Sequence, residues 1–202
     1  MHPSLDPDAL LAAYARGWFP MDEPGASGPV GLFEADPRGV MPIEGFRAPR
    51  SVARGVRRAG YEIRLDTAFP QVAAGCAVRP GEPTWLTPRL VAAYERLHAI
   101  GVAHSVEAWR GGRLCGGLFG VALGGLFTSE SMFHRAPDAG NAALVATAGM
   151  LRAAGFALWD IQMTSPHTAR FGALDIAPRD YRRRLREALG VAPGPLRPPT
   201  GG

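Results

Sequence analysis

The amino-acid sequence predicts an α+β protein whose core is a mixed sheet with packed helices. Three observations lead there. Between residues 103 and 133, apolar runs are separated by the pairs Gly111-Gly112 and Gly124-Gly125, the pattern of an antiparallel meander. A helical run over residues 141–154, closed by Gly155, then precedes a further strand over 157–163, and such a strand–helix–strand step makes the sheet mixed. Hydrophobic residues at 47% and charged residues at 20% of 202 positions fit a globular chain long enough to bury a core.

In chain order, residues 8–16 read as a short helix ended by Gly17, ahead of Trp18-Phe19 and Pro20. Residues 22–50 are rich in Gly and Pro and predict irregular structure with short strands near 30–33 and 39–41. Ser51 caps a predicted helix over 51–58 that carries Arg54, Arg57 and Arg58, either a solvated face or a contact for an RNA backbone. A strand over 61–65 and a helix over 66–77 follow, and the link Arg79-Pro80-Gly81-Glu82-Pro83 marks a boundary. The organisation expected is a small N-terminal α+β domain over 1–83, a second domain over 84–191, and a disordered tail over 192–202. Pro88 opens an amphipathic helix in which Leu90, Val91, Tyr94, Leu97 and Ile100 recur at helical spacing until Gly101. The meander strands are 103–110, 114–123 and 126–133, and the C-terminal part adds a short helix over 167–171 and a basic one over 180–189.

Composition narrows the function classes. No apolar stretch reaches the ~18 residues of a spanning helix, and the start, with acids and no basic apolar leader, predicts no signal peptide and a cytoplasmic location. Cys76 and Cys115 match no redox or metal spacing, and His2, His98, His104, His134 and His167 do not cluster, so no metal site is expected. The net charge is +4, the pI about 9.7, and the chain holds no Lys. An all-Arg basic set reflects either codon composition or an anionic partner gripped through bidentate contacts.

The chemistry concentrates in residues 106–162. Glu130 sits between Phe127 and Met132-Phe133, where a carboxylate is either the exposed end of an edge strand or a group that fixes an ammonium or hydroxyl. Asp160 and Gln162 alternate onto one face of their strand, as a polar rim or as a pair able to position and relay a proton. Trp85 and Trp109 read as core aromatics or as stacking platforms for a base. A meander followed by a crossover helix is the order of acetyltransferase-like (GNAT-type) domains. Their coenzyme A pyrophosphate loop has no full counterpart in Arg135-Ala136-Pro137-Asp138-Ala139-Gly140, which lacks the first Gly.

Several runs together resemble the bacterial leucyl/phenylalanyl-tRNA–protein transferases. They are Tyr14-Ala15-Arg16-Gly17-Trp18-Phe19-Pro20, Asp36-Pro37-Arg38, Gly116-Gly117-Leu118-Phe119-Gly120, Leu126-Phe127 with Glu130-Ser131-Met132-Phe133, and Asp160 with Gln162. His167-Thr168, Phe171-Gly172-Ala173 and Arg179-Asp180-Tyr181 complete the set, which covers nearly the whole chain. The resemblance implies an acetyltransferase-like C-terminal domain and movement of Leu or Phe from its tRNA onto an N-terminal Arg or Lys of a protein, an N-end-rule degradation mark. It implies that no coenzyme A is involved; no cofactor is expected, and the chain is expected to be a monomer.

By the same resemblance Asp160 orients Gln162, which assists the attacking amine, and Glu130 holds the aminoacyl end or the acceptor. Leu118, Phe127, Met132, Leu144, Thr147 and Trp159 are expected to form an apolar pocket for the donor side chain, with His167 also at the substrate site. Trp85 and Phe33 are expected to stack on the terminal adenosine, and Arg54, Arg57 and Arg58 to meet tRNA phosphates. Asp160→Ala is expected to lower transfer and leave the fold intact. The family's usual Trp is Phe33 here, its Ser-Arg is His134-Arg135, and its Ser-Lys is Gly140-Asn141, which removes a cation. Competing readings are an acyltransferase of the same fold with acetyl-CoA or another aminoacyl-tRNA as donor, and a non-catalytic RNA-binding module.

Overall fold

The computed structural model of the chain describes residues 5–25, 27–78, 81 and 83–199. Helix α1 (Pro7–Ala15) is capped by Asp6, and strands β1 (Phe19–Met21) and β2 (Gly31–Phe33) pair antiparallel as a small sheet of their own. Next come β3 (Arg38–Met41), α2 (Arg50–Ala59), β4 (Glu62–Leu65), α3 (Phe69–Ala77) and α4 (Pro88–Ala99). The meander is β5 (Ala103–Arg110), β6 (Arg113–Leu123) and β7 (Leu126–His134), followed by α5 (Ala139–Ala154) and β8 (Leu158–Gln162). A single turn, α6 (Pro166–Ala169), a short strand, β9 (Leu174–Ile176), and α7 (Pro178–Leu189) complete the fold.

Local chemistry explains the regular parts. Leu90, Ala93, Tyr94 and Leu97 on α4 recur at i, i+3, i+4 and i+7 and are fully buried, so the helix is held by one apolar stripe. Gly111 and Gly112 have φ of +57° and +71°, the paired positive values of a type I′ hairpin that side chains resist. At Gly116 an added Cβ would lie 2.8 Å from the Ala139 Cβ, so the glycine lets the first turn of α5 rest directly on the sheet.

Among the described residues the main sheet has seven strands in the order β4-β5-β6-β7-β8-β3-β9, and every pair is antiparallel except β7 with β8. The α+β mixed sheet with packed helices is therefore as the sequence predicts. A boundary at residue 83, however, does not divide the sheet: β3 and β4 precede it and pair with β8 and β5 beyond it. Of the linker residues, 79, 80 and 82 lie outside the described set. The strands β1 and β9, of three residues each, are too short to show an alternation in sequence. Residues 192–199 form no helix or strand, yet Gly194 N–H donates to Ala154 O at 2.8 Å and Leu196 packs on the core beside α5. The tail expected to be disordered is thus laid on α5 over 192–199, and 200–202 are outside the described residues.

Two cores sandwich the sheet. On one face Phe119, Val121 and Phe133 pack with α1, α3 and α4; on the other Val106, Leu118, Phe127 and Trp159 pack with α5. Helix α7 covers Leu126 and Leu158 through Tyr181 and Leu185. No helix among the described residues is long and apolar enough to cross a membrane.

Candidate active site

Two β-bulges and a strand divergence create the site. Strands β7 and β8 pair only from Leu126 with Leu158 to Thr128 with Asp160, then separate. In β7 the register passes from Gly120–Ser129 to Phe119–Ser131, which leaves Glu130 as the extra residue. In β8 it passes from Val40–Asp160 to Gly39–Gln162, which leaves Ile161 extra, and Gln162 itself has φ +57°. A bulge re-aims a side chain and shifts the alternation beyond it. Thr128 and Glu130 consequently both serve the α4 side, while Met132, opposite Leu118, joins the α5 side. Simple alternation at Asp160 and Gln162, the basis of the sequence expectation, is replaced by this bulge and the left-handed Gln162.

Where the strands part, Glu130, Ile161, Gln162 and Met163 meet Phe19, Pro20, Met21 and Trp85 around a cavity of about 270 Å³. Glu130 Oε1 accepts from Thr128 Oγ1 at 2.6 Å, and Oε2 from the Tyr94 hydroxyl at 2.9 Å. The Tyr94 and Tyr14 hydroxyls lie 2.8 Å apart; because Tyr94 gives its proton to Glu130, Tyr14 donates to Tyr94. Burial pushes the Glu130 carboxyl up to about 7 against the pull of the Thr128 and Tyr94 hydrogen bonds, and the Asp160 charge adds to the rise. Burial and Glu130 hold both tyrosine hydroxyls well above their ordinary value, so they stay protonated as donors.

Asp160 is fully buried and is not part of the lining of this cavity. Its carboxylate takes Arg38 Nε at 2.9 Å and Nη2 at 2.6 Å, the Tyr181 hydroxyl at 2.7 Å, and the Gln162 backbone N–H at 2.8 Å. Arg38, 1% exposed, also donates to Gly17 O at 2.8 Å and lies over the rings of Phe19 and Tyr181. Burial and the Asp160 charge push the Tyr181 hydroxyl strongly up. Asp160 therefore acts on Gln162 through its backbone and holds it in the left-handed conformation.

The Gln162 side chain can be seated two ways. With nitrogen toward the main chain it donates to Ile161 O at 2.9 Å and Ser129 O at 3.0 Å, which turns its oxygen toward Glu130. In the reverse seating the nitrogen donates to Glu130 Oε1 at 3.4 Å. The first seating is better satisfied and presents an acceptor beside Glu130.

The residues nominated for substrate binding fall into four places. Trp85 lines the cavity, and its loop is pinned by Asp22, whose N–H donates to Trp85 O at 3.2 Å and whose carboxylate binds Thr87 and Arg89. Phe33, 47% exposed, stands across β1–β2 from Phe19 with ring centroids 6.5 Å apart, at the edge of the cavity rather than in its lining. Leu118, Phe127, Leu144, Thr147 and Trp159 are buried on the α5 side, and Trp159 Nε1 donates to Ser129 Oγ at 2.8 Å. Met132 and His167 line a second cavity of about 280 Å³ with His134, Asp138, Gly140 and Asn141, the segment that departs from the family pattern. The His167 Nε2 is buried without a hydrogen-bond partner among the described residues, and burial lowers its pKa.

Arg54, Arg57 and Arg58 are exposed on α2, which packs beside α5 with Gly55 against Asp138, away from Glu130. Trp109 is structural: its indole N–H donates to buried Glu107 at 2.9 Å, and Glu107 also accepts from the start of α3 at Thr67 and Ala68. Sequence reading gave no role to Tyr14, Tyr94, Arg38, Tyr181 or Met21. A tyrosine inside the Leu/Ala stripe of α4 is the one signal that could have been used, because a buried hydroxyl needs a partner.

Comparison with known proteins gives a consistent answer. The model of the leucyl/phenylalanyl-tRNA protein transferase family matches residues 40–186, and that of the family's N-terminal domain matches residues 4–36. A leucyl/phenylalanyl-tRNA–protein transferase of Nitratidesulfovibrio vulgaris (strain DP4) is 49% identical over 187 residues, covering 91% of this chain and 79% of that one. One of Rubrobacter xylanophilus is 47% identical over 186 residues, covering 92% and 95%. Among solved structures, a ribosomal-protein-alanine N-acetyltransferase from Brucella melitensis biovar Abortus 2308 aligns at TM-score 0.38 and 14% identity, over 71% of this chain and 100% of that one. The L-PGS of Bacillus licheniformis aligns at TM-score 0.40 and 11% identity, over 84% and 57%. With two models matched end to end along most of its length, and relatives close to half identical, the chain belongs to the leucyl/phenylalanyl-tRNA protein transferase family.

Proposed function

We propose that this chain transfers leucine or phenylalanine from aminoacyl-tRNA to the N-terminal Arg or Lys of an acceptor protein, creating an N-end-rule degradation signal, with Glu130 and Gln162 at the reacting atoms. The reading assigns it to the cytoplasm, as a monomer. The observation that carries the residue roles is the cavity in which Glu130, near pKa 7, stands beside Gln162 where β7 and β8 part.

An aminoacyl ester is already activated, so no cofactor is needed. The enzyme brings the two reactants together and moves one proton. The acceptor α-amine, with an ordinary pKa of about 7.7–8.0, attacks the ester carbonyl. A C–N bond forms, and the C–O bond to the 3′-oxygen of the terminal adenosine breaks. Ionised Glu130 and the Gln162 oxygen receive the ammonium hydrogens; Glu130 takes the proton released and returns it to the leaving oxygen. Asp160, clamped by Arg38 and Tyr181, positions Gln162 and does not touch substrate. Trp85 and Phe33 border the cavity as stacking surfaces for the adenosine.

The donor side chain is assigned to the α5 side of the divergence, among Leu118, Phe127, Met132, Leu144, Thr147 and Trp159, with His167 at the Met132 cavity. An apolar surround there accepts Leu and Phe and rejects charged side chains through desolvation. Exposed Arg54, Arg57 and Arg58 offer phosphate contacts.

Incubation with labelled Leu-tRNA, Phe-tRNA or acetyl-CoA and an Arg-initiated peptide tests the reading. Transfer from the two aminoacyl-tRNAs alone is expected. Transfer from acetyl-CoA alone defeats it, and no transfer from any donor leaves only a binding module.

A further inference from the structure

On the face that carries Glu130, α7 buries Tyr181, Leu185 and Ala188 and turns Arg179, Arg182, Arg183 and Arg186 outward. Their spacing, i, i+3, i+4 and i+7, puts the four on one flank of the helix. The buried side of the same helix supplies the Tyr181 hydroxyl that holds Asp160. Arg182 reaches Glu34 at 3.2 Å, one residue from exposed Phe33, so the stripe passes beside the edge of the cavity through Arg182. Arg183 meets Glu187 at 3.0 Å and Asp180 at 4.0 Å, while Arg179 and Arg186 have no acidic partner among the described residues. The helix as a whole carries five arginines against two acids.

We infer that this stripe is a second RNA-backbone surface, taking the phosphates that lead away from the terminal adenosine. The inference rests on the proposed use of aminoacyl-tRNA. Charge complementarity and position argue for it. Arginine makes bidentate contacts with phosphate, and a stripe passing beside the cavity edge at Arg182 lies within reach of the chain of a nucleic acid whose last base stacks near Phe33 and Trp85. At about 1.5 Å per residue, Arg179 to Arg186 spans about 10 Å, enough for two or three successive phosphates of one strand. The arginines of α2 lie on the α5 side instead, so the two surfaces contact different parts of the RNA.

The test compares Arg179→Ala/Arg183→Ala/Arg186→Ala with Arg54→Ala/Arg57→Ala/Arg58→Ala and the unmutated chain, each checked for native circular dichroism. Binding of uncharged tRNA is measured from 50 to 200 mM salt, and transfer to an Arg-initiated peptide from Leu-tRNA and from the leucyl ester of adenosine, which has no phosphate. The α7 variant is expected to lower the slope of log affinity against log salt by about 2–3, at roughly 0.7–0.9 for each phosphate no longer neutralised. It should raise KM for Leu-tRNA at least about tenfold on that arithmetic and leave transfer from the adenosine ester unchanged. A slope and KM equal to those of the unmutated chain overturn the inference, as does a slope that falls only in the α2 variant. An unchanged slope with a raised KM for an acidic acceptor protein assigns the stripe to the acceptor and overturns it too. Failure of the unmutated chain to transfer from Leu-tRNA defeats the proposed function instead.

Discussion

The two faces of the sheet at the level of Glu130 are built from the same strands and have opposite chemistry. On the α4 and α7 side, Tyr14, Tyr94, Thr128 and Glu130 form one hydrogen-bonded chain, and Arg38, Asp160 and Tyr181 form another. On the α5 side, Leu118, Phe127, Leu144 and Trp159 pack together, with the Trp159–Ser129 hydrogen bond as a polar exception. A buried polar face is tolerable only when its groups are satisfied. That requirement divides the labour. The Arg38–Asp160 lock is closed and rigid, and Glu130, with its hydrogen-bonded oxygens still bordering the cavity, carries the residual electrostatic tension as a raised pKa. The α5 face, packed mainly from apolar side chains, suits recognition by shape.

The sharpest way to break this contrast is Asp160→Ala. It leaves the Arg38 guanidinium buried and unpaired, so it should cost about 3–5 kcal/mol of stability, as read by the denaturant midpoint, besides abolishing measurable transfer. The expectation from sequence, an intact fold, changes because the partner of Asp160 lies 122 positions away. A midpoint equal to that of the unmutated chain would show that the lock is not the frame of the site.

Glu130→Gln keeps the shape and should cut transfer by about 10²–10⁴, with little change in stability at neutral pH. The unmutated chain should gain kcat/KM with rising pH through about 7, as Glu130 ionises, and the variant should lose that limb. The stability sign is opposite. A carboxyl raised to about 7 in the folded chain binds more protons there than in the unfolded one, so its contribution is present at low pH and falls as pH rises from about 4 to about 7. Stability curves of variant and unmutated chain that run parallel across that window would count against the assignment.

On the other face, Leu144→Ala should cost about 2–5 kcal/mol through the cavity it leaves. It should also alter the ratio of Leu to Phe transfer without moving the pH profile. A shifted profile would mean that the faces are coupled rather than separate. The smallest change, Tyr94→Phe, removes one donor from Glu130 at a cost of about 1 kcal/mol. It should move the ascending limb of activity to higher pH, since a hydrogen bond that lowers the Glu130 pKa is gone. Unchanged pH dependence would remove the Tyr14–Tyr94 pair from the site.

Legibility followed the range of the interactions. The helix over 88–99, the Gly-Gly hairpins and the crossover helix ended by Gly155 depend on residues a few positions apart, and each stands within two residues of its predicted bounds. Membership of the main sheet by β3 and β4 was not readable, because it is decided by pairing with strands up to 123 residues away, at Gly39 and Gln162. The candidate site was half legible: Glu130, Asp160 and Gln162 stood out as polar residues in apolar runs, while Arg38, Tyr94 and Tyr181 passed as ordinary members of their motifs.

What the sequence by itself determined is the set of elements, their order, and a motif pattern specific enough to place the chain in its family. Periodicity and turn chemistry are local and survive without a partner strand. What only the tertiary structure decided is where the polar residues point. The bulges at Glu130 and Ile161 break the alternation on which any strand reading relies, and they exist because β7 and β8 must stay in register with β6 and β3 while parting from each other. An even count along β7 puts Glu130 on the face of Met132; the folded sheet puts them on opposite ones, and that reversal separates the carboxylate proposed to react from the apolar surround proposed for the donor side chain.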